Sequence, residues 1–227
     1  FDVMSCDAVV QSVSKTEDGR TDIILDRTCF YARGGGQDWD TGSIGAFRVE
    51  EVRLDELGDV HHIGPEGISP TVGENVHCEV DRGRRTINTR LHSAGHVVDM
   101  ANSTIHPTWM PGRGAHYPHM SFVEYTDAPV DEHTLEQIQQ GVNAILSQNT
   151  INAMKHVTKE ELSDLCRHVP DNLPSNKPIR VVLYGDFGVP CGGTHVQNLA
   201  NIGTIEITKV KTKKGVTKVS YRVEGIN

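Results

Sequence analysis

The first 81 residues contain short apolar runs separated by turn-forming residues. The runs include TDIILD, GAFRVEEVRL and ENVHCEVD, and glycine, aspartate and proline lie between them. Short apolar segments bounded by such residues are typical of strands in small all-β domains. Residues 1–81 are therefore predicted to form a β-barrel-like domain, with a β-sandwich as the alternative.

At Arg82 the pattern changes to helical spacing. The segment TRLHSAGHVVDMANSTI predicts a helix that Asn88 or Thr89 caps and that ends before Pro107. DEHTLEQIQQGVNAILSQN predicts a second helix, which is amphipathic. Its apolar face comprises Leu135, Ile138, Val142, Ile145 and Leu146.

The remaining chain returns to strands after a third, shorter helix. Thr158 and Glu161 have the spacing of a capping box at the start of that helix. The proline-rich break DNLPSNKP is followed by the predicted strands IRVVLY, GTIEITKV and TKVSYRV, and a Lys-Lys-Gly turn joins the last two. Residues 82–227 are predicted to be an α+β domain, which makes the whole chain α+β.

Composition argues against membrane-spanning, disulfide-stabilised and broadly basic classes of protein. No segment has the roughly 18 apolar residues of a membrane-spanning helix, and the N-terminus lacks the order of a signal peptide. Five widely spread cysteines favour a reduced, cytoplasmic compartment over a disulfide scaffold. The net charge of -8 argues against a broad basic face for duplex nucleic acid. RGRRTINTR or the lysine-rich C-terminal segment could make local contacts, although charge runs are more often solvated surface.

Two residue pairs have the spacing of metal ligands. His92 and His96 lie four residues apart in the predicted helix, so their side chains share one face. Cys191 and His195 repeat this spacing in PCGGTHV, where two glycines allow a tight loop. Chance predicts about 0.6 such His-His pairs and about 0.3 such Cys-His pairs, so the conjunction carries more weight than either pair. Three imidazoles and a thiolate suit zinc.

A zinc with four protein ligands is normally structural, whereas a catalytic zinc keeps a position open. We favour catalysis, because the two pairs lie roughly a hundred residues apart, unlike the compact spacing of zinc fingers. One ligand must then bind weakly or leave, or the ion must accept a fifth ligand. Ser93 and Ala94 follow His92 where His-Glu-x-x-His peptidases carry a glutamate, which disfavours peptidase activity.

The other histidines are expected mainly on the surface, because they have no partner at ligand spacing. His116 and His119 lie in the segment PGRGAHYPHM, predicted to be a loop, from which they could reach a ligand together with Arg113 and Tyr117. Surface positions are still favoured for both. The remaining set is His61, His62, His77, His106, His133, His156 and His168.

Three motifs in order resemble the alanyl-tRNA editing family. LHSAGH and PCGGTHV are similar to the two halves of the zinc motif in the editing domain of alanyl-tRNA synthetases and in free-standing AlaX proteins of medium length. LDRTCFYARGGGQDWDTG is similar to the family's glycine-rich motif. The resemblance implies a β-barrel-like domain over residues 1–81 and a zinc-binding α+β editing domain over residues 82–227.

The resemblance also implies roles for individual residues. Thr28 and Gln37 match catalytic and pocket positions, and both are expected to read the hydroxyl of a mischarged serine. Arg33 and Trp39 depart from the family pattern, which bears on the selectivity of the pocket. The implied substrate-binding residues are Thr28, Gly35, Gly36 and Gln37, and the implied zinc ligands are His92, His96, Cys191 and His195.

The expected reaction is hydrolysis of the ester in Ser-tRNA(Ala), and also in Gly-tRNA(Ala). The expected partner is the acceptor end of mischarged tRNA(Ala), with no nucleotide cofactor and no membrane. Asp99 and the substrate's ribose hydroxyl are candidate proton acceptors, while metal binding disfavours Cys191 as a nucleophile. The alternatives are an excised alanyl-tRNA synthetase domain, which the start at Phe1 leaves open, a structural zinc module that binds RNA, and the related threonyl-tRNA synthetase domain, which lacks the full glycine-rich motif.

Overall fold

A computed structural model describes residues 3–170, 173 and 178–226, and it confirms the predicted α+β class. The chain divides into two compact units, Phe1–Asn88 and Thr89–Asn227. Only residues 173 and 178 of the proline-rich break at 171–178 lie within the described residues. Within the described ranges, no helix is both long and apolar enough to cross a bilayer.

The N-terminal unit contains a seven-stranded antiparallel sheet in the order β4-β3-β7-β1-β2-β6-β5. In β7, alternate residues are buried, as expected for a strand with one face toward a core. The strands are β1 (Ser5–Lys15), β2 (Thr21–Leu25), β3 (Gly42–Ile44), β4 (Phe47–Val49), β5 (Glu51–Leu54), β6 (Val60–Gly64) and β7 (Asn75–Val80).

This sheet curls until its edges nearly meet. β4 and β5 lie at opposite edges, yet Glu50 alone separates them along the chain. The Glu50 N–H donates to the Ile63 carbonyl at 2.9 Å. A β-carbon on Gly64 would lie 2.0 Å from the Arg48 carbonyl oxygen, so only glycine permits this approach of β6 to β4. The predicted β-barrel-like architecture is confirmed, with a core that includes Val10, Ile23, Phe30, Ile44, Phe47 and Cys78.

Helix α1 (Arg82–Ile105) begins earlier than its apolar pattern predicts. The Asp81 carboxylate accepts the Arg84 N–H at 3.1 Å, which makes Asp81 the N-cap. The prediction of a cap at Asn88 or Thr89 is wrong, because both residues lie inside the helix. The first turns of α1 contain arginines and few apolar residues, so the apolar spacing does not predict these turns as helical.

The described residues of the C-terminal unit add two sheets and two further α-helices. β8 and β9 form a hairpin over the segment predicted to be a loop, so that prediction is wrong. The elements are β8 (Met110–Tyr117), β9 (Met120–Thr126), α2 (Thr134–Ser147), β10 (Asn152–Val157), α3 (Leu162–Leu165), β11 (Ile179–Tyr184), β12 (Phe187–Pro190), a 3₁₀ helix (Leu199–Ile202), β13 (Ile205–Lys213) and β14 (Val216–Val223).

A four-stranded antiparallel sheet has the order β13-β14-β9-β8. Lys214 and Gly215 form the predicted turn between β13 and β14, and both have a positive φ, 53° and 78°. The inner face of the sheet lies toward α1, since Tyr221 approaches Gly95. Helix α2 buries Ile138, Val142 and Ile145, whereas Leu135 is 39% exposed and departs from the predicted apolar face.

The three-stranded sheet β10-β11-β12 leads into the second ligand motif. The carboxylate of Glu161 accepts the Thr158 N–H at 2.8 Å, which is one half of the predicted capping box. The helix itself begins at Leu162 with Glu161 as its N-cap, so the prediction that Thr158 opens α3 is wrong. This helix and the sheet enclose a small core of Val157, Leu162, Cys166, Ile179 and Val181. Strand β12 ends directly before Cys191, so pairing with β11 fixes where the motif begins.

Candidate functional site

Helix α1 presents His92 and His96 on one face. They lie one turn apart, and their ring centroids are 5.1 Å from each other. His92 is buried, and His96 keeps partial exposure. The helical geometry predicted for this pair is therefore present.

The loop after β12 presents Cys191 and His195. The Cys191 N–H donates to the Arg180 carbonyl at 3.0 Å, and the Arg180 guanidinium donates to the carbonyls of Cys191 and Gly193. A β-carbon on Gly193 would lie 2.1 Å from Cε1 of His92, whereas Gly192 has open space around it. Of the two glycines in the motif, Gly193 is the one that the approach to α1 requires.

Hydroxyl groups of α1 hold this loop through polar contacts. Ser93, which lies between the histidines, accepts the Val196 N–H with its Oγ at 3.0 Å. The hydroxyls of Thr89 and Thr194 are 2.6 Å apart. The helix motif therefore supplies an anchor for the loop as well as two ligands.

The four predicted ligands form one cluster. Their potential ligand atoms all lie within 4.8 Å of one another. The Cys191 Sγ is 3.4 Å from Nε2 of His92 and 3.4 Å from Nε2 of His195. The His96 Nε2 is buried without a hydrogen-bond partner among the described residues. His92, His96, Cys191 and His195 could thus hold a metal ion.

The protonation states of the cluster suit a metal ion. Removal from water lowers the pKa of His96 to about 4 and the pKa values of His92 and His195 well below the ordinary value. These imidazoles are therefore neutral at pH 7, the form that binds metals. Burial raises the pKa of the Cys191 thiol to about 11, so a bound cation would have to displace its proton.

Tyr184 orients one of the ligands. Its Oη lies 3.0 Å from Nδ1 of His195. When Nδ1–H donates to this oxygen, Nε2 keeps its lone pair for a metal. Tyr184 is buried at the end of β11, which keeps the imidazole ring in this orientation.

His116 belongs to the same cluster, and its prediction as a surface residue is wrong. It is buried on β8, and its ring stacks on His92 with centroids 4.6 Å apart. The Tyr221 hydroxyl donates to the Leu91 carbonyl at 2.9 Å and lies 2.6 Å from Nδ1 of His116, so this nitrogen carries the proton. A β-carbon on Gly95 would lie 2.3 Å from His116, which explains the glycine in LHSAGH.

Sequence spacing does not predict that His116 contacts a metal ligand. The residue lies more than ten positions from any ligand along the chain, and only the β8–β9 hairpin brings it to α1. It contacts a ligand instead of completing the ligand set.

In the N-terminal unit, Thr28 is hydrogen-bonded to a second mispredicted histidine. His62 is fully buried, so its prediction as a surface residue is wrong. Its Nδ1 lies 2.9 Å from the Ile23 carbonyl and must donate, which leaves Nε2 to accept from the Thr28 hydroxyl at 2.8 Å. Burial lowers the pKa of His62 to about 4 and keeps it neutral. Thr28 also accepts the Phe30 N–H at 3.0 Å.

The glycine-rich motif forms a tight loop. The N–H of Gln37 donates to the Gly34 carbonyl, and the N–H of Gly34 donates to the Gln37 carbonyl. Gly35 and Gly36 have φ values of 54° and 75°, which favour glycine. The side chain of Gln37 is buried.

The two departures from the family pattern contact each other. The guanidinium of Arg33 lies 5.6 Å from the ring centroid of Trp39, and that of Arg84 lies 5.8 Å from it. Both distances are within the range of a cation–π interaction. Arg33 and Trp39 therefore contact each other beside the glycine loop.

Asp99 is a partly buried acid one turn beyond His96. It hydrogen-bonds Tyr125, and desolvation raises the Asp99 pKa from 3.8 to about 6. Because the folded pKa is raised, the charged form costs stability above about pH 6, and the cost vanishes below about pH 4.

We therefore expect Asp99→Asn to raise the free energy of unfolding by about 1–3 kcal/mol at pH 8, with the gain shrinking toward pH 4. Urea denaturation at several pH values measures this difference. Asp164→Asn removes an exposed acid and serves as the control. A gain that does not change with pH would contradict the expectation.

Family models match both ends of the chain. The model for class II (A) tRNA synthetases matches residues 2–84. The model for the second additional domain of threonyl and alanyl tRNA synthetases matches residues 179–224, which include Cys191 and His195.

Individual relatives agree with these matches. The chain is 32% identical to an alanine–tRNA ligase of Nitrosopumilus maritimus over 218 residues, which are 90% of the chain and 23% of the ligase. It is 30% identical to the alanyl-tRNA editing protein AlaX-L of Pyrococcus horikoshii over 232 residues, which are 96% of the chain and 54% of AlaX-L. The chain thus spans about a quarter of the ligase and about half of AlaX-L. Over nearly its whole length, the chain is therefore similar to alanine–tRNA ligases and to an alanyl-tRNA editing protein.

Proposed function

We propose that this chain is a zinc-dependent deacylase that hydrolyses the ester of Ser-tRNA(Ala), and of Gly-tRNA(Ala) as a second substrate. The convergence of three imidazoles and a thiol from α1 and the loop after β12 carries this proposal. Similarity to AlaX-L and to the second additional domain of threonyl and alanyl tRNA synthetases supports the substrate.

The donor set supports zinc as the metal. Nitrogen and sulfur ligands in a four-residue cluster are the usual zinc environment. The Nε2 atom of His96, which is buried without a hydrogen-bond partner among the described residues, is accounted for by a cation. When bound, zinc would supply Lewis acidity or lower the pKa of a water molecule to about 7. Partial exposure of His96 and Cys191 supports a site that an ester can approach.

We propose that Thr28 selects serine. Its hydroxyl hydrogen is given to His62, and one lone pair accepts from Phe30, so the other lone pair is free to accept from a serine hydroxyl. Alanine has no such donor. A site that hydrogen-bonds a hydroxyl can disfavour analogues lacking it by up to about 10⁴-fold, which would help to protect correct Ala-tRNA(Ala). Glycine also lacks this hydroxyl, so Gly-tRNA(Ala) is proposed as the slower substrate.

Gly35, Gly36 and Gln37 complete the proposed pocket. The left-handed glycines expose backbone without side chains, which leaves room for a small aminoacyl group. Gln37 is proposed to shape this loop, because its backbone closes the loop and its side chain is buried.

The proposed reaction adds water to the aminoacyl ester. The bond between the acyl carbon and the ribose oxygen breaks, the amino acid leaves as a free acid, and the ribose oxygen takes a proton. Asp99 and the ribose hydroxyl beside the ester are the two candidates for accepting the proton of the water. The raised pKa of Asp99, about 6, lies near the range useful for a general base.

We expect Thr28→Val to lower the deacylation rate of Ser-tRNA(Ala) about 10- to 100-fold without loss of zinc, because valine keeps the shape but cannot accept a hydrogen bond. Deacylation of Gly-tRNA(Ala), which offers no side-chain hydroxyl, should change less and is the internal control. Thr28→Ser, which restores the hydroxyl, should recover the rate. Equal rates for Thr28→Val and the unaltered chain on Ser-tRNA(Ala) would remove Thr28 from the proposed pocket.

Deacylation of Ser-, Gly- and Ala-tRNA(Ala), with and without a chelator, tests the proposed function. Chelation should abolish hydrolysis of the first two esters, zinc should restore it, and Ala-tRNA(Ala) should survive throughout. A chain that unfolds on chelation and never cleaves an ester is a structural zinc module, which would overturn the proposal.

A further inference from the structure

Three lysines of β13 project from one face of the four-stranded sheet. Lys209, Lys211 and Lys213 alternate along the strand, and all three are exposed. Lys218 on β14 pairs with Lys211 in the register of the hairpin, so it lies on the same face. These four residues form the lysine face, which lines a cavity of about 450 Å³.

The acidic side chains near the lysine face form ion pairs with residues other than Lys209, Lys211 and Lys213. Glu124 pairs with Lys218 at 3.3 Å, and Glu206 pairs with Arg222 at 2.7 Å. Among the described residues, none forms an ion pair with Lys209, Lys211 or Lys213. The chain has a net charge of -8, so this concentration of unneutralised cations is a local departure from its composition.

Aromatic rings lie on the same four-stranded sheet as the lysine face. The Lys218 ammonium lies 3.7 Å from the ring centroid of Phe122, and the Arg113 guanidinium lies 5.6 Å from the same centroid. Strand β9 pairs Glu124 with Lys218 and so continues the surface beyond β14. At the tip of the β8–β9 hairpin, Tyr117 and His119 stack with centroids 5.8 Å apart.

The metal-ligand cluster lies on the other side of this sheet. Tyr221 contacts His116 from the inner face of β14, and Lys218 lies three residues earlier, hence on the opposite face. A molecule on the lysine face is therefore separated from an ester at the cluster by the thickness of the sheet.

We propose that the lysine face binds the phosphate backbone of tRNA at a region away from the esterified nucleotide. Ammonium groups on a strand form a row of point charges that fits a polyanion, and the Tyr117–His119 pair offers a surface on which a base can stack. The stacking surface favours RNA over an anionic lipid. The identity of the RNA rests on the proposed function.

The test uses the purified 227-residue chain loaded with zinc. The variant K209Q/K211Q/K213Q removes three charges from the lysine face. A matched variant, K15Q/K155Q/K159Q, removes the same charge from exposed lysines elsewhere. Three quantities are measured for each: the Kd for tRNA(Ala) across a range of salt concentrations, the deacylation of Ser-tRNA(Ala), and the hydrolysis of a short substrate, the 3′-seryl ester of adenosine.

K209Q/K211Q/K213Q is expected to raise the Kd for tRNA about tenfold or more, and to reduce the slope of log Kd against log salt by about 2–3. Its KM for Ser-tRNA(Ala) should rise in parallel, while hydrolysis of the short ester stays unchanged. The matched variant should behave like the unaltered chain.

A Kd equal to that of the matched variant would overturn the proposal. Loss of short-ester hydrolysis would also overturn it, because the lysines would then act on the site itself. The proposal would also be overturned if K209Q/K211Q/K213Q lost binding to phosphatidylserine vesicles but kept its affinity for tRNA. That result would assign the lysine face to a membrane surface. If the unaltered chain cleaves no ester, the proposed function fails, and the Kd comparison still decides whether the lysine face binds RNA.

Discussion

Replacing Cys191 with serine is expected to abolish zinc binding at the proposed site and to lower the proposed Ser-tRNA(Ala) deacylation by at least about 100-fold. Loss of partners outside the ligand set already costs 10- to 100-fold at metal sites. Cys191 supplies the single anionic donor among the four clustered ligands. A serine hydroxyl keeps its proton near neutral pH and binds zinc poorly, so three neutral imidazoles would remain. Zinc per chain, measured by mass spectrometry, and the deacylation rate check both effects.

Cys6→Ser is the matched control, because Cys6 is also a partly exposed free cysteine but lies on β1 outside the cluster. This variant should keep its zinc and its activity. Thermal unfolding of Cys191→Ser separates a catalytic metal from a structural one. A folded, zinc-free and inactive variant supports catalysis, whereas a zinc-free variant with full activity would show that the cluster is not the reaction centre.

The second large effect concerns the ion pair between Arg85 and Asp40, which lie inside the N-terminal unit. Both side chains are buried, with Nε of Arg85 at 2.9 Å and 3.0 Å from the two carboxylate oxygens. Arg85 also donates to the Cys29 carbonyl, and Asp40 accepts the Tyr31 N–H. We expect Arg85→Ala to lower the free energy of unfolding by about 3–5 kcal/mol, because it leaves a buried carboxylate without its partner.

Urea denaturation measures this loss. Lys15→Ala, which breaks the exposed pair between Lys15 and Glu66, should change stability little and is the control. The double variant Asp40→Leu with Arg85→Met removes both charges and should recover part of the lost stability. If the double variant is no more stable than Arg85→Ala, the buried charge is not the cause.

The Arg85–Asp40 pair also holds the glycine-rich motif in place. Asp40 closes the motif, and its carboxylate connects the backbone of Tyr31 at one end to Arg85 in α1. The motif is therefore more than a flexible glycine turn, since its terminal acid fixes the loop that carries Gly35 and Gly36. The sequence contains this acid but does not indicate which cation it contacts.

Much of the local structure could be predicted from the sequence, because period and turn chemistry are local properties. Alternation in ENVHCEVD corresponds to the buried side of β7, and Lys214-Gly215 corresponds to the hairpin turn. The spacing of His92 and His96 placed both on one face of α1. The apolar pattern did not predict the start of α1, because that start is set by the Asp81 N-cap and not by apolar spacing.

The surroundings of the site could not be predicted, because they depend on segments that are far apart in the chain. His116 reaches His92 only after β8 pairs with β9, and His62 reaches Thr28 only after β6 joins β2 in the curled sheet. Both histidines lacked a sequence partner and were therefore expected on the surface.

The amino-acid sequence by itself determined which residues can bind a metal and which share a helix face or a strand face, because side-chain chemistry and backbone period are encoded within a few residues. Tertiary structure decided that Gly193 must make room for His92, that His116 stacks against a ligand, and that the β13 lysines face away from the cluster. The reason is physical: burial and close approach are set by packing between distant segments, and no local pattern specifies which segments will meet.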